Sequence, residues 1–106
     1  MRVELVRTGG FANLRFAAAV DDAALPAEER DDLRALVAAS GFWSLPAVVA
    51  TSSPSPDRLR YELTVEDAPL RRSVVVSEPD VPAPLAPLVA WLEARAHPAP
   101  LPPRGP

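Results

Sequence analysis

Cysteine is absent from the 106 residues, and histidine occurs once, at His97 in a proline-rich C-terminal stretch. The first absence excludes disulfides, thiolate metal sites, iron–sulfur clusters and cysteine nucleophiles. The second leaves no material for a Ser-His-Asp triad in the patterned part of the chain, nor for a multi-histidine metal centre. Lysine is missing too: all eleven basic residues are arginine, against fourteen Asp and Glu, for a net charge of −3. An acidic balance works against sequence-independent binding to phosphate backbones, so no nucleic-acid partner is expected. No apolar run approaches the ~18 residues that span a bilayer, and Met1-Arg2-Val3-Glu4 opens no apolar leader. The sequence therefore predicts a cytoplasmic product with no membrane partner.

What remains is the composition of one globular domain, 48% apolar and 24% charged. Val3 and Leu5 alternate with Arg2 and Glu4 up to Arg7, the period-two signal of a half-buried strand. A Thr8-Gly9-Gly10 turn leads into a second alternation, Leu14, Phe16, Ala18 and Val20, and the two read as an antiparallel hairpin. Pro26, followed by Glu28 and Glu29, starts a helix over 26–40 whose inner stripe is Leu33, Leu36, Val37 and Ser40. Gly41 stands where a left-handed residue ends it. Phe42-Trp43-Ser44-Leu45-Pro46 is an apolar cluster expected to plug one end of the core.

Residues 50–57 are a loop by composition. Leu59, Tyr61, Leu63 and Val65 then point inward on a third strand, and after Asp67-Ala68-Pro69 a fourth continues with Leu70, Val74 and Val76. Leu85, Leu88, Val89, Leu92 and Ala96 line a last helix, with Trp91 half-buried beside them. From His97 onward the prolines are expected to support neither helix nor ladder. The order is ββαββα, an α+β fold of four mostly antiparallel strands with two helices on one face. Residues 1–96 form the domain and 97–106 a proline-rich tail. A helix of 26–40 is about as long as the strands, roughly 22 Å. It is expected to run back along the sheet and bring the 46–57 segment to the end of the molecule that holds Gly9 and Gly10.

Three clusters are candidates for chemistry. Glu28, Glu29, Asp31 and Asp32 are dense, but a helix needs a polar outer face, and paired catalytic carboxylates need a cleft. Arg15, Arg58, Arg60, Glu62 and Arg71 mark the open sheet face. With Tyr61 and Phe16 pointing inward, that face lacks the aromatics that stack on RNA bases. Phe11 follows two glycines at a hairpin tip, where apolar side chains are unusual. It either folds back onto Phe42 or Trp43 or is an anchor offered to a partner, with Gly9 and Gly10 allowing close backbone approach.

Arg7-Thr8-Gly9-Gly10-Phe11-Ala12-Asn13 carries a resemblance when taken with Asp22-Ala23-Ala24-Leu25-Pro26-Ala27-Glu28-Glu29, Leu45-Pro46, Tyr61-Glu62-Leu63-Thr64-Val65-Glu66 and Pro84-Leu85-Ala86-Pro87-Leu88. In this order, over about residues 1–96, these segments resemble the emfourin family. The resemblance implies a protein inhibitor of thermolysin-like zinc metallopeptidases, the protealysin type in particular. It implies no catalytic residues, no metal and no cofactor of the chain's own. On that reading Phe11 fills an apolar subsite of the peptidase, while Gly9, Gly10, Ala12 and Asn13 supply hydrogen bonds. Ser52, Ser53, Pro54, Ser55, Pro56 and Asp57 bear on the opposite wall. A monomer is expected, since inhibitory loops must stay accessible. The residues alone leave a non-inhibitory interaction module open as the alternative.

Overall fold

A computed structural model describes residues 1–9, 15–49, 59–78 and 80–98. The α+β class is as expected. The sheet is built from β1 (Arg2–Gly9), β2 (Phe16–Asp21), β3 (Val48–Val49), β4 (Leu59–Asp67), β5 (Leu70–Ser77) and β6 (His97–Pro98), with helices α1 (Ala27–Ser40) and α2 (Ala86–Glu93). The spatial order is β3-β5-β4-β1-β2-β6. Its middle is the expected four antiparallel strands, β2-β1-β4-β5.

Alternation decides which side chains meet the helices. Val3 and Leu5 on β1 lie opposite Val65 and Leu63 on β4, and Leu63 lies opposite Val74 on β5. All five are essentially inaccessible to water. Leu33 and Val37 of α1 and Leu88, Val89 and Leu92 of α2 close over them, with Leu85 just ahead of α2. Phe42 completes this core, fully buried, with the half-exposed Trp43 edge-on at 5.4 Å between ring centroids. The plug expected of Phe42 and Trp43 is thus formed by Phe42.

The end of α1 is built locally. Gly41 takes the left-handed conformation, φ 67°, which a side chain would strain. The Ser40 hydroxyl donates to the Val37 carbonyl (2.6 Å) and accepts from the Phe42 N–H (3.2 Å), turning the chain so that Phe42 points inward. At the start of the helix the N-cap residue is Pro26, whose side chain makes no capping hydrogen bond. The neighbouring turn is tied instead by Asp22, buried, which accepts from the Met1 ammonium at 2.9 Å and pairs with the Arg34 guanidinium.

Four expectations are corrected. Among the described residues the sheet has six strands, because Val48–Val49 runs parallel to β5 and His97–Pro98 pairs with Ala17 and Phe16. Proline is compatible with β6 because an edge strand needs no N–H on its outer side. The α1 helix does not run back along the strands to Gly9. It lies antiparallel to α2, with Glu29 beside Arg95 (3.1 Å) and Leu36 and Ala39 beside Trp91. That second helix crosses the strands, from Glu78 at the end of β5 to Arg7 on β1. The chain beyond α1 is held at the Trp43 carbonyl by Arg72 (2.8 Å), and β3 then carries it along β5. Finally, Leu70 keeps the inward parity but is 57% exposed, because it sits at the hairpin tip opposite Asp67, outside the reach of the helices.

Two outcomes follow for stability. Phe42→Ala empties a fully buried site and is expected to lower the unfolding free energy by about 3–5 kcal/mol in urea titrations. The Asp22 carboxyl is held below its usual value by the hydrogen bond from the Met1 ammonium and, further, by Arg34. Its contribution is present above the ordinary carboxylate range and lost as pH falls through the lowered value. Asp22→Asn is expected to destabilise the neutral-pH protein by about 2 kcal/mol. It is also expected to flatten the acid limb of stability against pH.

Candidate functional site

One row of residues crosses every strand in register. Pro98 pairs with Phe16, Phe16 with Arg7, Arg7 with Tyr61, Tyr61 with Val76, and Val76 with Val49. Beyond this row β1 ends at Gly9, whose ladder partner is Leu59, the first residue of β4. Gly9 has φ 93°, a conformation that favours glycine as the chain leaves the sheet. Connection 10–14 begins after Gly9, and connection 50–58 begins after Val49 and finishes at Leu59. Both therefore attach at the same end of the sheet, side by side at Gly9 and Leu59.

The expectation that the two segments share an end concerns these anchors. The route expected for it is overturned, since the 46–57 segment starts away from Gly9 and β3 carries it to that end; what the structure places together are the anchors Gly9, Val49 and Leu59. Of the residues singled out from the sequence, Gly9 closes β1. Gly10, Phe11, Ala12, Asn13, Ser52, Ser53, Pro54, Ser55, Pro56 and Asp57 lie outside the described residues, as do Leu14 and Arg58.

Beneath these anchors the helix-covered face turns polar. Arg7 has the same inward parity as Val3 and Leu5, yet lies at the rim. Its guanidinium donates to Glu93 of α2 (3.2 Å) and sits 4.4 Å above the Phe16 ring. Tyr61, buried, is Arg7's ladder neighbour. Burial, then the hydrogen bond to Glu93 and the nearby charge of Glu78, push its phenol well above the ordinary tyrosine value, while Arg7 pulls the other way. The sequence carried one sign of this cluster, an arginine at an inward position, which needs an acid. Naming that acid requires the direction in which α2 crosses the sheet, and periodicity does not contain it.

The remaining candidates separate. Glu28, Asp31 and Asp32 are exposed, and Glu29 is engaged by Arg95. Among the described residues no three His, Asp or Glu side chains converge as metal ligands, and no helix is long and apolar enough to cross a membrane. The open sheet face carries the ion pairs Arg2–Glu4 (2.8 Å) and Arg71–Glu66 (3.7 Å) around a Thr64–Ser73 hydroxyl pair (2.7 Å). Both Tyr61 and Phe16 have turned to the other side.

With the scaffold and its loop anchors placed, the comparison with protein families decides the kinship: the Emfourin model matches residues 5–93. The chain belongs to the emfourin family. The match runs from within the first strand to the end of α2, so nearly all of the core, Val3 excepted, and the anchors of both connections fall inside it. No curated protein and no solved structure gives a significant match to this emfourin. The family is one of metallopeptidase inhibitors, and at that level membership speaks for a binding role rather than catalysis.

The polar cluster makes its own test. Glu93→Gln removes a carboxylate that adds to burial in raising the Tyr61 phenol. Tyrosinate absorbance is expected to show ionisation beginning at lower pH in the variant than in the parent, with burial still keeping it above an exposed tyrosine.

Proposed function

We propose that this chain inhibits a thermolysin-like zinc metallopeptidase, of the protealysin type, by laying the connections 10–14 and 50–58 into the substrate cleft. The observation that carries the reading is the pairing of Gly9 with Leu59 inside a chain of the emfourin family. Two segments distant in sequence leave a rigid sheet as neighbours, which is how a scaffold offers a composite surface to a partner.

The division of labour follows from side-chain chemistry. Phe11 supplies the large apolar group, the kind of residue that dominates interface energetics when it enters a pocket. Gly9, Gly10, Ala12 and Asn13 have small or amide side chains, so backbone and amide hydrogen bonds reach the partner without steric hindrance. Pro54 and Pro56 restrict the second connection before it docks, lowering the entropy lost on binding. Ser52, Ser53, Ser55 and Asp57 offer it polar groups. Inhibition on this account is exclusion of substrate and water from the catalytic zinc, with no ligand to that zinc required from the inhibitor.

Residual activity of a purified thermolysin-like peptidase, titrated with the chain, tests the proposal. The expected result is loss of activity on complex formation. Phe11→Ala is expected to weaken inhibition by about 2 kcal/mol or more, roughly thirtyfold in Ki. An exposed control on α1, Arg30→Ala, is expected to leave Ki unchanged. Inhibition unaltered by Phe11→Ala would remove the anchor. A fully active peptidase at saturating inhibitor would replace this reading with that of a non-inhibitory interaction module.

A further inference from the structure

Next to the loop anchors, the helix-covered face is not fully closed. Between the ends of β4 and β5 and the side of α2 lies an open groove of about 390 Å³. Its apolar floor is Val81 and Val89, and Ala86 and Ala90, one helical turn apart, keep it open where larger side chains would fill it. The buried Tyr61 forms the wall, and Glu78 and Glu93 stand at the rim. Among the described residues, the charged groups that bear on the phenol are two carboxylates, Glu78 and Glu93, against one guanidinium, Arg7, which is already committed to Glu93 and to the Phe16 ring. Among the described residues, the groove is thus an apolar trough with more carboxylates than guanidinium groups at its mouth.

We infer that this groove receives a basic side chain, arginine or lysine, from the protein partner, its methylene stem lying on Val81, Val89 and Ala90 and its cationic head reaching Glu78. The chemistry matches on both counts. Long basic side chains bury their stems along apolar surface while holding the charge at the edge, and a charged hydrogen bond to a carboxylate is among the stronger polar contacts. Position adds to this: the Glu78 N–H donates to the Leu59 carbonyl (3.0 Å), so the groove mouth adjoins the anchor of both connections. A partner seated on those connections brings its surface over the groove. The identity of that partner as a peptidase rests on the preceding reading, but the groove's chemistry does not.

The test uses the full chain, isotope-labelled and titrated with Nα-acetyl-arginine amide, with the neutral citrulline analogue as control. Saturable shift changes are expected at Tyr61, Val89 and Ala90. The citrulline analogue and the Glu78→Gln variant are each expected to bind at least about fivefold more weakly. Equal binding of the neutral analogue, no change in Glu78→Gln, or no shifts at these residues would overturn the assignment. Binding that emerges only in Arg58→Gln or Arg104→Gln would also overturn it, because an arginine of the same chain would then be the occupant. A positive titration beside a peptidase that is never inhibited would sink the inhibitor reading alone. A negative titration beside an inhibition that depends on Phe11 would sink the groove alone.

Discussion

The ladder between β1 and β4 is the constraint from which the rest of the molecule follows. It joins residues 2–9 to residues 59–66 from Arg2↔Glu66 to Gly9↔Leu59, partners separated by about half the chain. Closing so long a loop costs only modestly more entropy than closing a shorter one, and burial of Val3, Leu5, Leu63 and Val65 offsets it. Register is fixed by the same residues, since a slip of one position would turn every inward side chain of a strand to water. Once that register is set, Gly9 and Leu59 have to be neighbours, and both long connections have to leave from one end.

The two ends of the sheet are built differently. At one, the β4–β5 turn is only Ala68–Pro69, and the Met1 ammonium, Asp22 and Arg34 tie the β2–α1 junction together. At the other, the core gives way to Arg7, Tyr61, Glu93 and Phe16, a polar layer that is half closed. That layer supports the anchors without sealing the face, which leaves the α2 groove open beside them. A binding role for the chain is compatible with a rigid sheet whose long connections attach at one end.

Much of this was legible in the residues. Both hairpins, the α1 span, the left-handed Gly41 and the inward set on β4 follow from two periods, one glycine and a few prolines. What escaped is instructive. Val48–Val49 is too short to show alternation and sits in serine- and proline-rich surroundings, so β3 is a product of the β5 edge that recruits it. His97–Pro98 reads as a chain breaker, yet an edge position asks nothing of the missing N–H. The direction of the helices was also beyond reach, because periodicity gives the face a helix buries but not the angle at which it crosses the sheet. That angle is what brings Glu93 to Arg7 and opens the groove. Leu70 shows the converse: its parity was right, and its exposure depended on how far the helices extend.

The central claim is that the partner docks at the end of the sheet where Gly9 meets Leu59. Amide chemical-shift mapping of the labelled chain bound to a catalytically inactive thermolysin-like peptidase addresses it most directly. The account predicts the largest perturbations at Gly9, Phe16, Leu59, Arg60 and Glu78, with Arg2, Glu66 and Arg71 unaffected at the opposite end. A footprint centred on Glu66, the Ala68–Pro69 turn and Arg71, leaving Gly9 and Leu59 unmoved, would contradict it.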